Sequence, residues 1–290
     1  MHRLIIHAGL HKTGSTYLQS VLMRNRDLLL RAGCYLQPDA GLKGNHSTAW
    51  AAHVGDFRGI REHLKLAATT RRDPVLLTSE DFESLIFQPN HARTIEQIAQ
   101  ASGVTEIEWH FCLRDPGEYF ASQYAELAKS VFVDFVAMFE SVVRDGRFDV
   151  SSVWRRHPES WSHCFDYETH LTAFAGEISG SLFFHDFRDA APYPGHAIVE
   201  QLPGGSAATD GVGEARNTRL PAADVADRYQ KMLRAAAERT ELSAEAADFI
   251  VDRPIIPDAV LSETATAISR LYGPGMERLL QRKEIRGSAA

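Results

Sequence analysis

The sequence predicts an α/β fold: a mostly parallel central sheet in a three-layer sandwich, with a helical C-terminal extension. Three observations carry this. Short apolar runs at residues 4–6, 75–77, 107–113 and 182–184 have strand length, and amphipathic stretches separate them. Such runs suit parallel strands buried on both faces, because crossover helices cover both sides of the sheet. Residues 222–290 then switch to mainly helical patterning. With 290 residues, 44% hydrophobic and 24% charged, the chain can bury a large core and is expected to form one domain over 1–290, with the helices from about 221 packed on it.

Taken in order, residues 3–8 read as the first strand, and a glycine-flanked loop opens into a helix that reaches Arg31-Ala32. Leu18, Val21, Leu22, Leu28 and Leu29 give that helix its apolar stripe, and Gly33 ends it. Residues 34–36 form a short extended piece and 41–45 a polar loop, with helical segments to about 69 and a buried strand at 75–78. The alternation of Ile107, Trp109, Phe111 and Leu113 marks another strand, and Pro116 suits the first turn of the helix after it. Residues 182–185 supply a further strand. Glycine, alanine and serine at 203–213 mark a loop, and helices are expected at 222–240, 243–251 and 262–272, with a frayed tail from about 286.

The formal net charge of -7 and the lack of a long Lys/Arg run argue against nucleic acid as a partner. Cys34, Cys112 and Cys164 are widely spaced, without metal-ligand pairing, and Cys112 reads as a buried thiol. No stretch approaches the length of a membrane span, and the first strand begins almost at residue 1, so a cytoplasmic protein is expected. A homodimer is the default assembly.

The most informative segment is Gly9-Leu10-His11-Lys12-Thr13-Gly14-Ser15-Thr16. A strand aims this loop, glycines let the backbone approach an anion, and N–H groups at the helix start face negative charge. Gly9, Gly14 and Thr16 keep the spacing of a nucleotide-triphosphate loop, but Ser15 stands at the lysine position and Lys12 lies inside the loop. A second motif follows the 107–113 strand: Arg114-Asp115-Pro116, with Ser122 eight residues after Arg114. A guanidinium grips phosphate with two hydrogen bonds, and a helix hydroxyl can complete the shell. Both motifs fall beyond carboxyl ends of strands, where open α/β sheets bind ligands.

These motifs resemble those of the bacterial sulfotransferases that use 3′-phosphoadenosine 5′-phosphosulfate (PAPS) and release the bisphosphate PAP. Lys12-Thr13-Gly14-Ser15-Thr16 is similar to the family's phosphosulfate loop, and Arg114 with Ser122 to its 3′-phosphate site. Asn45-His46, Ser79-Glu80, the strand at 182–185 and Arg216-Asn217 through Leu220 follow the family order, with Arg219 where many relatives have serine. The resemblance implies a P-loop-like fold and sulfuryl transfer from PAPS to a hydroxyl or amine of a small-molecule, sugar or lipid acceptor, with no metal. It implies that Lys12 meets the bridging oxygen and 5′-phosphate, that Thr13 to Thr16 hold that phosphate, and that Arg114 and Ser122 hold the 3′-phosphate. Arg216 is the further nucleotide contact.

For the general base, Glu80 and His46 compete, and Glu80 could instead cap the helix beginning near Asp81. His11 shapes the loop or touches the sulfate. Aromatic residues Trp50, Phe132, Phe135, Trp154 and Trp161 are candidates for lining an acceptor pocket. The rival classes are a P-loop kinase using ATP and Mg²⁺, with Asp81 or Asp115 as the metal-binding acid, and a non-catalytic nucleotide-binding protein.

Overall fold

Leu4, Ile5 and Ile6 are fully buried in β1 (Arg3–His7), the strand on which the rest of the sheet is built. In this computed structural model the described residues are 1–128, 133–151, 160–189, 192–208, 222–239, 243–251 and 256–288. After β1 come α1 (Ser15–Arg24), α2 (Arg26–Arg31), α3 (His46–His53) and α4 (Arg58–Thr69). Next are β2 (Val75–Thr78), a 3-10 helix (Glu80–Phe87), α5 (Pro89–Ala101), β3 (Glu106–Leu113), α6 (Pro116–Leu127) and α7 (Phe135–Asp145). An antiparallel pair, β4 (Arg147–Ser151) and β5 (Ser160–Cys164), precedes α8 (Tyr167–Glu177) and β6 (Ser181–Asp186). Then follow α9 (His196–Glu200), a 3-10 turn (Gly205–Ala207), α10 (Ala222–Arg239), α11 (Ala244–Val251), α12 (Asp258–Arg282) and β7 (Glu284–Ile285).

The central sheet has the order β2-β1-β3-β6-β7. Its first four strands are parallel and the short β7 is antiparallel. Alternate side chains of β1, β2 and β3 enter different clusters. Leu4, Ile6, Leu77, Trp109 and Phe111 join the larger one, whereas Ile5, Leu76 and Cys112 pack with Leu18, Val21 and Leu22 of α1. Burial on both faces explains why these strands read as nearly continuous apolar runs. The chain runs from β1 to β2 on one side and on to β3 on the other. The carboxyl ends of β1 and β3 are therefore neighbours at a reversal of strand order, the position where such sheets form a crevice.

The expected first helix breaks at Asn25, whose side-chain amide donates to the Val21 carbonyl at 2.9 Å and competes with the helical ladder. Gly33, at φ +103°, does end α2: the Gly33 amide donates to Leu30 O and the Cys34 amide to Leu29 O, which closes the helix as a Schellman motif. The expected 262–272 helix is longer, Asp258–Arg282, and passes through Pro274. Tertiary packing overrides the proline here: Leu261, Ile268, Met276 and Leu279 are buried, and α12 lies on α6 and α8. Gly117 permits the α6 contact, since a Cβ there would lie 1.8 Å from the Ala265 carbonyl oxygen.

Cys34, Cys112 and Cys164 are buried free thiols, and burial pushes Cys112 up to about 12. No helix among the described residues is long and apolar enough to cross a membrane.

Candidate functional site

The glycine loop leaves β1 where the Ala8 amide donates to His110 O at 3.0 Å, tying it to β3. Lys12 takes the left-handed conformation, φ +62°, and Gly14 follows at φ +86° as the N-cap of α1. At neither glycine of the loop does a Cβ fit without a shift of its neighbours. A Cβ on Gly9 would lie 2.5 Å from His7 Nε2 and 2.6 Å from Ser15 Oγ, and one on Gly14 would lie 2.7 Å from Pro194 Cβ. The Tyr17 and Leu18 amides return to Gly14 O, while those of Thr13, Gly14, Ser15 and Thr16 find no acceptor among the described residues. Ser15 Oγ is buried without a hydrogen-bond partner among them. Buried hydroxyls are nearly always paired, so this orphan at a helix start makes Ser15 a candidate for a ligand contact.

Arg114 follows the last residue of β3 and reaches back to this loop, its Nη1 donating to Lys12 O at 3.1 Å. Its guanidinium lies over the Phe187 ring, 5.1 Å from the centroid, and the same ring borders Gly14. Phe187 is held just past β6 by its amide bond to Leu113 O. Asp115 caps α6 by accepting from the Gly117 and Glu118 amides, and Ser269 Oγ of α12 donates to it. The first turn of α6 is thereby fixed beside Arg114. Half-buried Ser122 lies on α6 with Glu118 and Glu126 four residues to either side, one face of the helix. Arg114 pairs with Glu118 at 3.2 Å, and Lys12 Nζ with Glu126 at 2.8 Å. Lys12, Arg114 and Ser122, more than a hundred positions apart at the extremes, thus border one region.

Behind the loop, Glu83 of the first 3-10 helix is fully buried. It accepts from His11 N at 3.2 Å, His11 Nδ1 at 2.8 Å, Tyr119 OH at 2.9 Å and the Cys164 amide at 2.9 Å. Burial alone would raise its pKa, but hydrogen bonds from His11 and His163 hold it at about 2. Burial likewise disfavours charge on His11, and the carboxylates of Asp81 and Glu83 overcome it, raising the imidazole to about 10. His11 is therefore an imidazolium at neutral pH, and its backbone and ring together anchor the loop to the 3-10 helix. One ring nitrogen each of His11 and His163 and a Glu83 oxygen lie within 4.8 Å of one another, close enough to share a cation, yet Glu83 is already satisfied by the donors above.

Glu80 accepts from Gln19 Nε2 at 3.2 Å, which brings its carboxylate to α1 one turn beyond Ser15. Ser79, and not the alternative Glu80, caps the 3-10 helix: its Oγ accepts from the Asp81 amide. His46 begins α3, its Nδ1 3.0 Å from Ser79 Oγ and 3.5 Å from Asp81, and Asp81 raises its pKa despite burial. Thr16 is exposed at the second position of α1. Trp50 meets Trp161 at 4.9 Å, and Trp161 meets His11 at 5.3 Å, whereas Phe135 packs on Phe120 and Tyr124. Arg216, with the segment to Leu220, and Phe132 and Trp154 lie outside the described residues.

Sequence reasoning missed Glu83, Phe187, Glu118 and Glu126. Only Phe187 left a signal: an aromatic residue just past a strand end, on the same sheet edge as both motifs.

Comparison with family models, with curated proteins and with solved structures returned no match.

Proposed function

We propose that this protein is a PAPS-dependent sulfotransferase with a P-loop-like, three-layer α/β architecture. One observation supports the proposal: Arg114 Nη1 lies 3.1 Å from the Lys12 carbonyl oxygen, so the two motifs are adjacent and within reach of one ligand. In this reading the amides of Thr13 to Thr16, with the Ser15 and Thr16 hydroxyls, hold the 5′-phosphate, and His11 fixes the loop. Arg114 and Ser122 hold the 3′-phosphate and so separate PAPS from ATP. Arg216 is proposed as a further nucleotide contact.

The reaction breaks the bond between sulfur and the phosphate oxygen while a bond forms between sulfur and the acceptor's oxygen or nitrogen, roughly in line. The electron pair of the broken bond stays on the phosphate oxygen. The Lys12 ammonium stabilises that growing charge, an interaction stronger in the transition state than in the ground state. Glu80 takes the acceptor's proton. His46 is the weaker candidate because Asp81 holds it toward its protonated form. PAP and the sulfated acceptor leave. The acceptor is a small molecule, sugar or lipid, with Trp50 and Trp161 on its side of the loop, and a cytoplasmic site of action goes with the nucleotide. No step calls for a metal.

Thermal-shift titration tests the proposal. PAP stabilises the protein without metal, and ATP does so no better when Mg²⁺ is added. Incubation with PAPS and a metabolite extract yields a product heavier by one sulfuryl group. Stabilisation by ATP only in the presence of Mg²⁺ would instead favour a kinase, and PAP binding without product a non-catalytic protein.

A further inference from the structure

The cations assigned to the nucleotide are both paired with carboxylates on α6. Lys12 Nζ is 2.8 Å from Glu126 Oε2, and Arg114 Nε is 3.2 Å from Glu118 Oε2. Glu118 and Glu126 share one face of the helix, two turns and about 12 Å apart along its axis. Ser122 stands between them. α6 thus presents two anionic groups, spaced along a rod, to the same cations that would meet the two phosphates of one nucleotide.

A carboxylate beside a phosphate site repels the ligand, so an acidic pair here costs affinity. What it offers is exchange: each cation keeps a counter-ion when the nucleotide is gone, and an incoming ligand must carry enough charge to displace it. We propose that Glu126, seconded by Glu118, is an internal counter-anion that competes with the nucleotide, and that it is the positioning residue for Lys12. The proposal rests on the sulfotransferase reading for the identity of the ligand. Lys12 leaves Glu126 for the donor's phosphate as PAPS binds and returns as PAP departs. Singly charged anions lose this competition, which adds to selectivity for a bisphosphate, and product release is eased by the waiting carboxylate.

The pair is partly exposed, 24% for Lys12 and 40% for Glu126, so the effect is modest and screened by salt. In the full chain, Glu126→Gln is expected to bind PAP about two- to fivefold more tightly at low ionic strength, with the gain fading at high salt. Glu126→Asp, which keeps the charge, is expected to stay near wild type. Glu140→Gln makes the same charge change on α7, where Glu140 pairs with Arg144, and is expected to leave PAP affinity unchanged. In turnover, KM for PAPS falls in Glu126→Gln while kcat does not rise. Without nucleotide, Lys12 is acylated faster by an amine-labelling reagent in Glu126→Gln than in wild type.

Unchanged or weaker PAP binding by folded Glu126→Gln, or an equal gain in Glu140→Gln, overturns the proposal while leaving the sulfotransferase reading intact. A wild-type protein that ignores PAP overturns that reading and the nucleotide exchange with it. Equal Lys12 labelling in both proteins overturns the pairing itself, whatever the nucleotide does.

Discussion

Replacing Glu83 by glutamine tests the electrostatic foundation of the site. The carboxylate is fully buried, and the His11 imidazolium, Tyr119 and the Cys164 amide all donate to it. Its pKa is held at about 2, against an ordinary value of 4.5, and at neutral pH that difference corresponds to about 3 kcal/mol. Glutamine preserves the volume but turns an amide toward a cation, and breaking a buried pair costs about 3–5 kcal/mol. At about 2–4 °C per kcal/mol for large domains, the melting temperature should fall by roughly 6–20 °C. The pH dependence gives a second signature. The Glu83 contribution is complete above about 4.5 and is lost as pH falls toward 2. That of His11 is complete below 6.5 and is lost as pH rises toward 10. The gap between wild type and Glu83→Gln is therefore widest between about pH 4.5 and 6.5 and narrows from there toward pH 10. Scanning calorimetry across that range measures it. A gap that stays constant to pH 10, or a variant as stable as wild type, would refute the coupled His11–Glu83 charge pair.

Other variants address the backbone that shapes the site. Gly14→Ala combines φ +86° with a 2.7 Å approach to Pro194, so a loss of more than about 1 kcal/mol is expected by denaturant titration, together with loss of the PAP thermal shift. Gly117→Ala places a Cβ 1.8 Å from the Ala265 carbonyl oxygen, and must push α12 off α6. Destabilisation of about 1–3 kcal/mol is expected, along with altered near-ultraviolet dichroism, and a neutral result would contradict the α6–α12 contact. Ser79→Ala removes a helix cap and should cost about 1 kcal/mol, while Glu80→Ala should cost less, because Ser79 and not Glu80 caps the helix.

Much of this arrangement was legible in the sequence because local rules govern it. Leu4-Ile5-Ile6 needs burial on both sides, Gly14 and Gly33 occupy positions with φ above zero, and Pro116 starts a helix where no amide donor is needed. The features that were not legible depend on distant partners. Glu83 reads as an ordinary charged residue of a helical turn until the fold brings it Tyr119, His163 and Cys164 from other elements. Glu118 and Glu126 read as a solvated helix face, and only the placement of β1 beside β3 turns that face toward Lys12 and Arg114. Pro274 signals the end of a helix, and α12 continues through it because Met276 and Leu279 are buried beyond it. The α/β class and the turns of the glycine loop and of Pro116 thus follow from local pattern, whereas the charge network that holds the loop follows from topology.

The most direct measurement is calorimetric titration, in the presence of a chelator, with PAP and with adenosine 5′-phosphate, for wild type and Arg114→Ala. A site that reads both phosphates binds PAP far more tightly than the monophosphate without metal, and Arg114→Ala brings the two affinities together while leaving monophosphate binding nearly intact. Equal wild-type affinities for the two nucleotides, or a preference for PAP that survives in Arg114→Ala, would contradict the account.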